Sequence, residues 1–199
     1  MKRLHMQSRK RQALMTVFII LACFVWTQAQ TPTPPTQSIV ELPSSILDQE
    51  LTTIDDRHLK LSDYSNRTIV LNLFASWCGP CRLNLPDLID LKRSYVGHPI
   101  EVMGLISRKT DPDIEAARAF VRDQRVNFPV VWDTENLGDS LRKAIDSRIV
   151  LPQTLVIVRG TVRKTFVGFN PSMTPQQLRQ TLDQIGQEPP ALPKKSIIP

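Results

Sequence analysis

The sequence predicts an α/β sandwich, with a central mixed β-sheet and helices on both faces. Three observations carry this. Apolar runs of strand length alternate with longer helical stretches. The alternation closes in a hairpin and one more helix. The 199 residues, 41% of them hydrophobic, suit one domain with a substantial core. No internal repeat is present.

The elements follow in order. Residues 51–61 read as a hairpin. Ile69-Val70-Leu71-Asn72-Leu73-Phe74 is an apolar run that reads as a buried strand. Residues 82–95 are helical, with a bend expected at Pro86. Residues 100–106 form a second buried strand. Asp111 is placed at the N-cap, and Pro112 at the first position, of a helix reaching about Arg125. Residues 137–145 form a short helix. Residues 155–159 and 162–168 pair as a hairpin turning at Arg159-Gly160. Thr174-Pro175 opens a last helix to Ile185. The domain is therefore expected over residues 38–187. Residues 30–37, with Pro32, Pro34 and Pro35, read as an extended linker. Residues 188–199 are Pro-rich and expected to be disordered.

The formal net charge of +6 is not a nucleic-acid signature. Lys2, Arg3, Arg9, Lys10 and Arg11 precede the first acid, Glu41, and without them 20 basic residues face 19 acidic ones. The basic stretch leads into 14 largely apolar residues, 13–26. That is short for a spanning helix of about 20 residues and suits the core of a signal peptide. Residues 1–29 are thus expected to be a signal peptide or membrane anchor. Cleavage after Ala29, lipidation at Cys23 in Ile20-Leu21-Ala22-Cys23, and retention as an anchor all remain open. Each outcome places the domain outside the cytoplasm.

Trp77-Cys78-Gly79-Pro80-Cys81 carries the chemistry. It follows the first buried strand and opens a helix, so the thiols fall on a strand-to-helix turn. A helix N-terminus offers partial positive charge and unpaired N–H groups, and both favour a thiolate. Cys78 is expected at the exposed tip as the nucleophile. Cys81, three residues on, shares its helix face and lies close enough to close a ring. Pro80 suits the first helical turn, where its missing N–H is not needed. A zinc site is disfavoured: it needs about four ligands, and Cys23, His5, His58 and His98 are scattered along the chain. No metal or other cofactor is expected. Leu151-Pro152-Gln153-Thr154 precedes another strand, which makes Pro152 a candidate for a cis peptide bond.

These residues resemble the thioredoxin superfamily, and within it the extracytoplasmic TlpA/ResA/DsbE-like thiol–disulfide oxidoreductases. The similarity runs from about Leu47 to Ile185. The segment Val70 through Arg82 is its most specific part. The 56–64 stretch with Leu61-Ser62-Asp63-Tyr64, the 128–133 stretch and the Leu151-Pro152 position add to it. The resemblance implies a thioredoxin-like three-layer sandwich and exchange of disulfides through Cys78 and Cys81. It places Leu151 and Pro152 opposite the pair, with Trp77, Gly79 and Pro80 supporting the site. It also implies partners with thiols or disulfides in the cell envelope, an upstream membrane electron donor, and a possible place in cytochrome c maturation. Two positions depart from the pattern. Classical thioredoxins usually have Asp where Asn72 stands, and this branch often has Glu where Asn84 stands. An amide cannot take a proton near neutral pH, so both familiar proton acceptors are missing. Two other classes compete. A non-catalytic scaffold commonly loses one cysteine, and both remain here. A thiol peroxidase would carry Pro and Thr or Ser where Val70 and Ala75 stand.

Overall fold

A computed structural model describes residues 39–187. The expected leader or anchor (1–29) with Cys23, the linker (30–37) and the tail (188–199) lie outside the described residues.

The strands are β1 (Val40–Glu41), β2 (Leu51–Thr52), β3 (His58–Leu59), β4 (Thr68–Phe74), β5 (Ile100–Ser107), β6 (Val130–Asp133), β7 (Gln153–Val158) and β8 (Thr161–Val167). The helices are α1 (Ser44–Leu47), α2 (Gly79–Ser94), α3 (Ile114–Asp123), α4 (Leu137–Ala144) and α5 (Thr174–Gln187), with a 3-10 turn at Leu61–Tyr64. Six strands form one sheet in the order β1-β8-β7-β4-β5-β6. β4, β5 and β6 are parallel; β7 pairs antiparallel with β4, β8 antiparallel with β7, and β1 antiparallel with β8. β2 and β3 pair as the expected small hairpin.

Central strands buried on both faces read as continuous apolar runs, and β4 is buried along its whole length. Its side chains divide by parity. Val70 and Phe74 join Val102, Ile106 and Val156 in the layer under α2, α3 and α5. Ile69, Leu71 and Leu73 join Met103, Leu105 and Leu155 in the layer under α1, the β2–β3 hairpin and α4. The three-layer sandwich is the one expected. At the start of β4 and β5, buried Glu101 receives Arg67 at 2.7 Å and Lys92 at 2.6 Å, which ties both strands to α2.

The β7–β8 turn falls at Arg159 and Gly160 as expected, with φ of 50° and 77°. Gly160 also lies against α1: an added Cβ would stand 2.8 Å from Leu47 Cδ1. β1, α1 and β6 are too short to show a period in the sequence. α2 begins at Gly79 and runs unbroken through Pro86.

The helix after β5 starts later than expected. Its N-cap is Asp113, whose carboxylate accepts the N–H groups of Glu115 and Ala116 at 2.9 and 3.1 Å. Asp111 is not the cap. It is buried and turned toward the end of β4.

Gly104 sits at a close approach of β5 to Phe74 and Val130. A Cβ there would lie 2.6 Å from Phe74 Cε1 and 3.1 Å from Val130 Cγ2. Gly104→Ala should therefore cost about 1–3 kcal/mol in denaturant unfolding, as overpacked cores do. Wild-type stability would mean that Phe74 gives way at no cost.

Candidate active site

β4 ends at Phe74, and five residues later α2 begins. Cys78 is the N-cap of α2, in extended backbone (φ −78°, ψ 108°), and Pro80 falls in its first turn. Cys78 and Cys81 are joined in a disulfide, with Cα atoms 5.2 Å apart. Cys78 Sγ also accepts the N–H of Cys81 at 3.2 Å. It therefore occupies the place of a capping side chain and takes up a donor that the helix cannot satisfy itself.

The exposed Cys78 expected from the sequence is not found. Cys78 is not at an exposed tip: the residue is 4% exposed, and Cys81 is fully buried. The side chain turns back over the first helical turn, where its N–H acceptor and its covalent partner both lie. Trp77 is the exposed group instead, at 65%. It flanks the pair rather than packing in the core, and its indole N–H donates to Thr110 O at 2.7 Å.

β7 brings the second element. Gln153 is opposite Leu73 in the antiparallel register, so Pro152 stands beside the β4–α2 turn. The Leu151–Pro152 bond is cis. Leu151 packs against the cluster that contains both cysteines. Among the described residues, neither its N–H nor its C=O has a backbone partner. The structure thus brings Trp77, Cys78, Gly79, Pro80, Cys81, Leu151 and Pro152 to one end of the sheet.

The polar groups beneath the pair are amides. Asn72 is fully buried on the α2 side of β4, and its Nδ2 donates to Thr154 Oγ1 at 2.8 Å. Asn84 is buried one turn after Cys81. Asn72 Oδ1, Asn84 Nδ2 and Gln153 Oε1 are buried without hydrogen-bond partners. Such groups cost about 1–3 kcal/mol each and call for an explanation. Two of them lie in the same layer as Cys81. Gln153 lies on the other face, where its amide donates to Ser147 Oγ.

Sequence reasoning missed the loop that holds the redox turn. Asp111 Oδ2 accepts the N–H of Ser76 at 2.6 Å, and Thr110 O holds Trp77. The loop is fixed from α4: Lys109 Nζ donates to Asp139 at 2.6 Å, and Asp139 also pairs with the largely buried Arg142. Arg142 and Thr110 line one small cavity with Ile149, Val150 and Leu151, so the loops on either side of the pair meet there. The available signal was Asp111-Pro112-Asp113, two candidate caps of which a helix uses one.

Among known proteins, the Redoxin family profile matches residues 25–182. A thiol-disulfide oxidoreductase ResA from Geobacillus kaustophilus is 24% identical over 182 residues, covering 90% of this chain and 99% of that protein. The exposed lipoprotein thioredoxin Etrx1 of Streptococcus pneumoniae is 26% identical with a TM-score of 0.58, covering 68% of this chain and 98% of that one. A peroxiredoxin Q from Xanthomonas campestris has a TM-score of 0.60 at 17% identity, covering 75% and 99% of the two chains, and shares the fold alone. Fold and relatives together define a thioredoxin-like thiol–disulfide oxidoreductase of the ResA/DsbE type. The chain belongs to the Redoxin family.

The Lys109–Asp139–Arg142 network gives a pH test. The hydrogen bond from Lys109 holds the Asp139 carboxyl below its ordinary value of 3.8, with the charge of Arg142 adding to it and partial burial opposing. A lowered folded-state value stabilises above pH 3.8 and is lost as pH falls through that lowered value. Asp139→Asn should cost about 0.5–1 kcal/mol at neutral pH, given the exposure of Lys109. The gap from wild type should close in acid. A gap that is constant down to low pH would assign the loss to packing.

Proposed function

We propose that this oxidoreductase reduces protein disulfides, with Cys78 as nucleophile and Cys81 as resolving thiol. The observation that carries this is the Cys78–Cys81 disulfide across the first turn of α2, with Cys78 as N-cap. The cap position aligns helix N–H groups and positive partial charge with Cys78 sulfur, which lowers the cost of a thiolate. In the reduced enzyme, Cys78 thiolate attacks one sulfur of a partner disulfide and expels the other as a thiolate. Cys81, once deprotonated, attacks Cys78 sulfur, closes the ring and releases the second partner thiol. Two electrons pass from enzyme to partner, and an upstream dithiol donor must return them.

The Gly79-Pro80 dipeptide favours the reducing direction, since thioredoxin itself is reducing. The free backbone of Leu151 suits a partner strand laid beside Pro152, which gives broad affinity with modest side-chain selection. Trp77, exposed beside the pair, adds apolar contact. The basic and apolar N-terminal sequence, with Cys23 after Ile20-Leu21-Ala22, supports action on the outer side of the cytoplasmic membrane or in the periplasm. Among the described residues no helix is long and apolar enough to cross a membrane. The resemblance to the TlpA/ResA/DsbE-like branch, several members of which serve cytochrome c maturation, makes apocytochrome c a partner to test.

Trapping tests the reading. In Cys81→Ser the hydroxyl cannot resolve the intermediate, so Cys78 should accumulate in mixed disulfides with its partners. Apocytochrome c among the adducts would favour the cytochrome branch, and a broad set of envelope proteins a general reductase. An absence of adducts, where the wild-type pair cycles, would favour a scaffold.

Proton transfer gives a second test. Neither Asn72 nor Asn84 can accept the Cys81 proton, so water or the partner must take it. Asn84→Glu should alter the pH dependence of the resolving step. An unchanged profile would mean that position 84 plays no part.

A further inference from the structure

We infer that Asp111 is a positioning residue that holds the redox turn and makes Cys78 a stronger reductant. This rests on Cys78 being the nucleophile. The side chain is one of few buried carboxylates and is 3% exposed. Its Oδ2 accepts the Ser76 N–H at 2.6 Å across 35 positions of sequence. Ser76 lies two residues before Cys78, and Cys78 N–H in turn donates to Ala75 O at 3.2 Å. The next residue back, Thr110, fixes Trp77 through its carbonyl. One short loop therefore grips the turn at two successive residues.

The grip has an electrostatic consequence. Backbone N–H groups near Cys78 favour its thiolate, and Asp111 occupies the Ser76 N–H. It also brings a negative charge to the turn that carries Cys78, where Asp111 and Cys78 are both buried. Both effects raise the cost of the thiolate and leave the uncharged disulfide unaffected. The oxidised form is then relatively stabilised, and the dithiol gives up its electrons more readily.

The opposing charges on the bordering elements are basic. α2 carries Arg82, stacked 5.3 Å from the Phe120 ring centroid. The 107–111 loop carries Arg108 and Lys109, with Lys109 already tied to Asp139. α4 carries Arg142, paired with the same Asp139, and the stretch before Pro152 carries Arg148. Asp113, at the start of α3, is engaged in capping that helix. Asp111 is the carboxylate that reaches the turn.

Asp111→Asn separates charge from grip, because the amide oxygen can still accept from Ser76. Two quantities decide the matter: the pH profile of Cys78 alkylation in a Cys81→Ser background, and the equilibrium of the intact pair with dithiothreitol. In Asp111→Asn the alkylation midpoint should move to lower pH, with about threefold faster reaction below the midpoint. The oxidised-to-reduced ratio at a fixed dithiothreitol couple should fall about threefold at a pH above both midpoints. Asp111→Ala should shift both in the same direction and also lower the melting temperature of the oxidised protein. Wild-type values for both in Asp111→Asn would overturn the proposal and leave Asp111 a purely structural clamp. A wild-type protein whose Cys78 neither alkylates ahead of Cys81 nor exchanges with dithiothreitol would overturn the assignment of the nucleophile and this proposal together.

Discussion

The capping bond between Cys78 sulfur and the N–H of Cys81 is the interaction on which the rest of the site depends. A helix leaves its first N–H groups without internal partners. Most helices meet that need with an oxygen from Ser, Thr, Asp or Asn. α2 meets it with a sulfur that is also one half of the disulfide. The donor that completes the helix therefore faces the sulfur proposed as the attacking thiolate, so on that proposal the stability of the turn and its reactivity have one source. Changes that reposition the start of α2 should alter both.

The sheet makes that turn rigid. β4 lies at the centre, parallel to β5 and antiparallel to β7, and contributes side chains to both core layers. Its C-terminal end can hardly move without breaking two strand pairings. Register then delivers Pro152 to the turn, since Gln153 is fixed opposite Leu73. The loop after β5 closes the other side through Asp111 and Thr110. Three adjacent sheet strands thus border the cysteines, β4 and β5 with the segments that follow them and β7 with the segment that precedes it. This agrees with the general tendency of α/β sheets to place sites at strand ends.

Much of this was legible from local pattern. β4 and β5 are apolar runs, the β7–β8 turn has Gly160 at a positive φ, and the cysteine spacing sets the first turn of α2. Three features were not legible, each for its own reason. The burial of Cys78 depends on its side chain folding back over the helix, which spacing does not report. β1 and α1, with two and four residues, are too short to show a period. Asp followed by Pro is a sound local signal for a cap, but the contact that defines Asp111 lies 35 residues away. Asn72 and Asn84 could be recognised as departures from a familiar pattern, yet their unpartnered atoms emerge only from the packed structure.

The central claim is that Cys78 and Cys81 form a reversible two-electron couple poised to reduce its partners. The most direct measurement is an equilibrium titration of the pair against dithiothreitol buffers, read by alkylation mass. The account predicts one reversible transition that fits two electrons. Its midpoint should lie on the reducing side, in the region of about −270 mV where thioredoxin falls. A transition near the DsbA value of about −120 mV would contradict the reducing direction. A pair that could not be cycled at all would contradict the assignment of the site.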